Sequence, residues 1–152
     1  MPHSRFSRHD ARFVWALSAL QLISWGSVFY GFALFMTPLE QALGMSRAES
    51  SLGFSLMLLA EGVLAFSVGR WIDRGHERVV MTGGSLLVGL AFLLHSHIAT
   101  VAEFYGVWTL LGVGLAGTLY PPAFAVLTRR FPQHFRRAII ILTFLGGLAS
   151  TV

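Results

Sequence analysis

Apolar and polar residues come in blocks along this chain rather than in alternation. No formal charge occurs from Phe13 to Leu39, from Val79 to Ala102 or from Phe104 to Thr128. Each block exceeds the roughly 20 residues a helix needs to cross about 30 Å of hydrocarbon. Ser50 to Gly69 is a fourth block, interrupted by Glu61 alone, and a fifth begins at Ala138 and reaches Val152. At about 1.5 Å per residue that last block extends only some 22 Å, too short to cross by itself. The pattern predicts helices over about 13–37, 47–69, 79–98 and 103–128, and an incomplete one over 138–152, in a single partial transmembrane domain. Tight turns make neighbouring helices antiparallel. The expected class is an all-α integral membrane protein, an up-and-down transmembrane helical bundle with the lipid bilayer as its first partner.

Punctuation between the blocks fits. Ser46 can cap free backbone N–H groups while Glu49, three residues on, reaches back in a capping box. Gly75 lies in a charged turn where a glycine tolerates positive φ, and Pro132 lies between helices, where it breaks none. His95, Ser96 and His97 mark the far end of the third helix.

Composition agrees with the blocks, at 55% hydrophobic and 12% charged residues, because a soluble domain would spread its charges over a surface. All eleven basic residues are arginines. Arg5, Arg8 and Arg12 precede the first helix; Arg70, Arg74 and Arg78 lie between the second and third; Arg129, Arg130, Arg136 and Arg137 lie between the fourth and fifth. Only Arg47 falls on the other side, so the positive-inside rule puts the N-terminus in the cytoplasm. The basic pI follows from this pattern, and the short loops offer no basic face for nucleic acid. The first apolar run is too long for a cleavable signal peptide and ends at Met36-Thr37-Pro38 without a small-x-small site. With no cysteine, disulfides, thiolate metal sites and thiol nucleophiles are excluded.

Some residues suggest chemistry. Gly83, Gly84 and Gly89 in the third helix and Gly106, Gly112, Gly114 and Gly117 in the fourth lie where helices should touch, since small residues let backbones approach in lipid. Tyr120-Pro121-Pro122 frees backbone carbonyls inside a spanning helix, a feature of broken helices that border cavities. A weak repeat at a shift of ninety residues puts Leu20 on Leu110, Tyr30 on Tyr120 and Ala33 on Ala123. Inverted three-helix repeats would place the first and fourth helices at equivalent positions, which makes Tyr30 and Tyr120 paired candidates for lining a cavity. Glu61 is the lone carboxylate deep in an apolar run. Such a charge costs about 2.5–3.5 kcal/mol to insert and belongs against protein or water, so Glu61 is the proton-coupling candidate, with a hydrogen bond to a neighbour such as Gln21 as the structural alternative. His95 and His97 are two apart, about 200° round a helix, the wrong spacing for a helical zinc pair. No catalytic residues, metal site or cofactor are expected, and an integral-membrane enzyme is disfavoured.

The charged turn carries a resemblance. Gly69, Asp73, Arg74, Gly75 and Arg78 resemble the signature of the major facilitator superfamily between its second and third helices: a glycine, three residues, an acid, a base, then a glycine and bases. In the usual pattern one residue separates the base from the glycine, so this loop is one residue short. Trp25-Gly26, Phe29-Tyr30-Gly31-Phe32, Pro38-Leu39 and the segment Leu43 to Glu49 are similar to the first helix and following loop of bacterial monocarboxylate and oxalate/formate-like branches. So are Arg130-Phe131-Pro132, Arg137-Ala138 and Gly146-Gly147. Many drug exporters of the superfamily carry arginine four residues before a Gly-x-Gly, where this chain has Trp108 before Gly112-Val113-Gly114, which weakens a drug/proton antiport reading.

The resemblance implies a partial N-terminal half of a major facilitator fold, part of a secondary active transporter that moves small solutes by alternating access, with organic anions or monocarboxylates favoured. It implies a bacterial inner membrane, and a missing C-terminal half or second chain as partner. The loop signature would form a cytoplasmic latch, with Asp73 pairing Arg129 or Arg130 near the end of the fourth helix. Alternatives are a small self-assembling proton-coupled carrier that shares Glu61 between copies, or a non-transporting membrane subunit or remnant.

Overall fold

The computed structural model describes residues 8–147, so Arg5 and residues 148–152 of the fifth expected helix lie outside the described residues. Helix α1 (Arg8–Trp25) passes into a π-helical turn (Gly26–Tyr30) and then α2 (Gly31–Leu43); α3 is Arg47–Asp73, α4 Glu77–His95, α5 Val101–Ala116, α6 Tyr120–Arg130 and α7 Phe135–Gly147. Among the described residues four stretches are long and apolar enough to cross a membrane: Asp10–Leu43, Arg47–Asp73, Glu77–His95 and Val101–Arg130. The protein is an all-α integral membrane bundle.

Where the helix ends differ from the sequence pattern, backbone chemistry explains the difference. The first span does not stop near residue 37; Pro38 sits inside α2, which continues to Leu43. A proline deletes one backbone donor, and in this apolar segment the rest of the ladder carries on past it. Gly44 is the true stop, at φ +64°, with the Met45 N–H donating back to the Glu40 carbonyl at 3.0 Å. Ser46 and Glu49 form the expected capping box at the start of α3. Thr100 and Glu103 form a second one, which starts α5 at Val101 rather than 103. The fourth span is not one helix. It breaks at Gly117–Leu119, and Pro121 and Pro122 open α6 in its first turn, where missing N–H groups cost least.

Helix α5 is the hub, packed along α3 on one side and α4 on the other. The approach to α3 is backbone to backbone: a Cβ on Gly112 would overlap the Met57 carbonyl group. On the α4 side, Gly84 meets Gly114 and Gly117 so closely that a Cβ on any of the three would crowd the opposite helix. Gly83, Gly89 and Gly106 have nothing within 4 Å, so the close approaches use four of the seven candidate glycines. Gly112→Val should therefore force α3 from α5 and destabilise the protein by about 1–3 kcal/mol, read as a lower unfolding midpoint in detergent, whereas Gly106→Val should have little effect. An unchanged midpoint for Gly112→Val would contradict the packing.

Two apolar clusters fill the bundle. One, around Val28, Met57, Trp108, Leu111 and Leu115, joins α2, α3, α4 and α5. The other, around Val14, Leu17, Leu127, Ala138 and Leu142, joins α1, α6 and α7. The outer faces carry exposed Leu34, Phe66, Leu86, Leu93 and Phe144, as surfaces against lipid do.

Candidate functional site

The two broken helices break beside each other. On the first span, Gly26–Tyr30 winds as a π-helix, a single wide turn that inserts an extra residue and re-aims the side chains around it. On the fourth, α5 ends at Ala116 and α6 begins at Tyr120. Both discontinuities fall near the middle of their spans.

Proline chemistry ties them together. An uninterrupted helix would bond the N–H of residue 122 to the Thr118 carbonyl, and Pro122 has no N–H. Gln21 of α1 supplies the donor, its side-chain amide lying 2.6 Å from the Thr118 oxygen, fully buried. The Thr118 hydroxyl turns back to the Gly114 carbonyl at 3.2 Å. Gln21 thus serves the helix break and not Glu61.

Aromatic rings wall the junction. Trp25 stacks on Phe29 at 4.3 Å and meets Tyr120 at 5.5 Å, and Tyr120 stacks on Phe124 at 5.4 Å. Phe54 of α3 bridges Phe29 and Phe32, and Phe32 sits edge-on to Trp108 at 4.9 Å. From the other side α7 brings Gly146 so close that a Cβ there would overlap the Tyr120 hydroxyl. Gln21 Oε1 and the Trp25 indole N–H are buried here without a hydrogen-bond partner among the described residues, as is the Trp108 indole N–H more than two turns before the end of α5.

The two tyrosines paired by the repeat therefore part company. Tyr120 is in the wall, whereas Tyr30, at the end of the π turn, is 41% exposed and takes no place in the ring cluster. The residue missed from sequence is Trp25, and Gln21 is named there only as a neighbour for Glu61. The signal of Trp25 is an indole in the middle of a spanning run, far from the interface where such groups usually lie.

Glu61 lies on α3 one turn from buried Met57, half-buried, and among the described residues it has no hydrogen bond or ion pair. His95 packs its ring against Phe35 and Trp108, while His97 turns to Ser96, so the two imidazoles do not converge.

At the arginine-rich end, the α3–α4 turn is built around one carbonyl. Gly75, at φ +89°, donates its N–H to the Ile72 oxygen at 2.8 Å, and the Arg129 guanidinium reaches the same oxygen from the end of α6. Arg129 also pairs with Glu77 at 3.3 Å. Arg130 instead lies over the Phe13 ring, 4.3 Å from its centroid. The fourth helix does reach the loop, but through Ile72 and Glu77; neither guanidinium pairs with Asp73. Gly69 has open space around it, and Arg74 caps the end of α3.

The sequence profile of the Major Facilitator Superfamily matches residues 14–152, nearly the whole chain. The chain belongs to that superfamily. Among curated relatives, an uncharacterized MFS-type transporter, YcxA, of Bacillus subtilis is 29% identical over 136 residues, covering 86% of this chain and 32% of its own length. The oxalate:formate antiporter of Oxalobacter formigenes is 25% identical over 121 residues, covering 80% of this chain and 29% of its own. The multidrug resistance protein MdtL of Klebsiella pneumoniae is 29% identical over 114 residues, covering 75% and 28%. The chain thus spans about a third of the length of these superfamily members. No solved structure matches it.

Proposed function

We propose that this chain is the N-terminal part of a secondary active transporter that moves small organic anions by alternating access, working with a C-terminal half or a second chain. The observation that carries the reading is the meeting of two helix breaks in mid-span, joined by Gln21 and Thr118. Carriers commonly build substrate sites from discontinuous helices near the bilayer midplane. Orphaned polar groups in a low-dielectric interior cost free energy, and a solute carboxylate could accept from the Trp25 indole beside the break. The antiporter among the relatives carries oxalate and formate by name, which favours anions over the cargo of the drug-resistance relative.

Tyr120 and Tyr30 are assigned to this pathway with different roles, Tyr120 within the wall and Tyr30 facing outward toward the partner half. Glu61 is the proton-coupling group, half-buried within α3. Gly69, Asp73, Arg74, Gly75 and Arg78 form the latch surface, with Arg129 bracing it from behind and Asp73 left available to the opposite half. The arginine-rich ends face the cytoplasm, placing the N-terminus inside, in a bacterial inner membrane.

The full-length protein, reconstituted in liposomes, should exchange internal for external radiolabelled small carboxylates, and Gln21→Leu should cut that exchange at least tenfold. Exchange of cationic solutes with no movement of carboxylates would overturn the anion assignment; full exchange by Gln21→Leu would overturn the site.

A further inference from the structure

Away from the aromatic junction, α1 and α4 are not a closely packed pair, and α6 touches both. The gap is a cleft of about 540 Å³ with an apolar floor at Leu17, Met81 and Val126 and a rim at Arg78, Arg129 and Arg130. Glu77 is the single carboxylate in its lining. That carboxylate and the Ile72 carbonyl occupy Arg129. Arg130 rests one face on the Phe13 ring, which leaves its edge N–H groups free, and Arg78 pairs with no acid among the described residues.

We propose that this cleft holds an anionic glycerophospholipid, its phosphate on Arg78 and Arg130 and an acyl chain along Leu17, Met81 and Val126. Charge and shape both point to that occupant. A basic pocket between membrane helices at headgroup depth suits an anionic lipid, with the guanidinium planes matching phosphate oxygens. A free phosphate would satisfy the rim but leave the apolar floor bare, and a neutral apolar helix would cover the floor but bury unpaired arginines. The cation–π contact holds the Arg130 side chain in place before the lipid arrives.

Native mass spectrometry of the full-length protein in neutral detergent tests this, with phosphatidylglycerol and phosphatidylcholine of matched chains as probes. One phosphatidylglycerol should be retained in preference to phosphatidylcholine. Arg78→Gln with Arg130→Gln should weaken retention about thirtyfold, while Arg70→Gln with Arg74→Gln, an equal charge change outside the cleft, should leave it intact. Arg78→Lys with Arg130→Lys should keep most of the binding, which separates loss of charge from loss of fold. Equal losses in the two glutamine pairs would overturn the proposal, because they would mean diffuse attraction to a basic surface. Displacement of the lipid by glycerol phosphate at equal concentration would overturn the acyl-chain contact. A photo-reactive residue at Thr82 should cross-link lipid; a protein adduct would identify a helix as the occupant and also overturn it.

Discussion

Replacing Glu61 by glutamine in the full-length protein should abolish uphill uptake driven by a pH gradient, by a hundredfold or more, while leaving solute-for-solute exchange largely intact. The two activities separate because exchange returns the binding site loaded in both directions and needs no change of protonation. Net uptake needs a group that takes a proton on one side and releases it on the other, and glutamine does neither. Glu61 suits that task by position: half-buried one turn from Met57, with no hydrogen bond or ion pair among the described residues to hold it in one state. Its neutral isostere should not harm the fold, since inserting an ionisable side chain into hydrocarbon costs about 2.5–3.5 kcal/mol and the amide is the less costly of the two. The measurement is accumulation of labelled carboxylate in liposomes with an imposed pH gradient, beside counterflow without one. Normal gradient-driven accumulation by Glu61→Gln would remove Glu61 from coupling, and parallel loss of both activities would make it structural.

How much of this was legible in the sequence depends on whether the information was local. Spans follow from uncharged blocks, because bilayer thickness sets their length whatever the tertiary packing. Capping is local too: Thr100 and Glu103 have the same spacing as Ser46 and Glu49, and the missed α5 start was readable in the same way. Pro121 and Pro122 announced a break, and their missing N–H groups even indicate which carbonyl needs a donor. Which residue supplies it was not legible, because Gln21 stands 97 residues away and only the fold brings it there.

The π turn explains why the two paired tyrosines sit in different surroundings. A repeat matches residue numbers, but one extra residue in a turn rotates the helix beyond it by about 100° relative to a regular helix. Tyr30 is the last residue of that turn, so its register to Trp25 differs from what regular winding gives. No residue between Gly26 and Tyr30 marks the wider turn. Charge partners were equally opaque. Asp73, Glu77, Arg129 and Arg130 all lie within reach of one membrane face, and only geometry selects Ile72 and Glu77 for Arg129 and the Phe13 ring for Arg130.

That selection gives the second large effect. Arg129→Ala should loosen the α3–α4 turn and shift the full-length protein toward a state open at its arginine-rich face. The bond from a guanidinium to the Ile72 carbonyl contributes about 1.5–3 kcal/mol as a charge-assisted contact. The partly exposed pair with Glu77 adds about 0.2–1 kcal/mol. Losing both should move a two-state equilibrium roughly twentyfold to several hundredfold if the clamp is made in only one of the states. Gly75 would keep its own bond to the Ile72 oxygen, so the turn should survive while its tie to α6 is lost. This chain has no cysteine, so once any cysteine of the remaining protein is replaced, one introduced at Gly69 reports accessibility cleanly. Its labelling rate by a membrane-impermeant maleimide in inside-out vesicles should rise by the same factor in Arg129→Ala. Arg129→Lys should fall between, because an ammonium keeps the charge but cannot span the carbonyl and the carboxylate as the planar fork does. A rate unchanged by Arg129→Ala would show that the clamp is closed in every state of the cycle, which would make it part of the rigid half rather than of the switch.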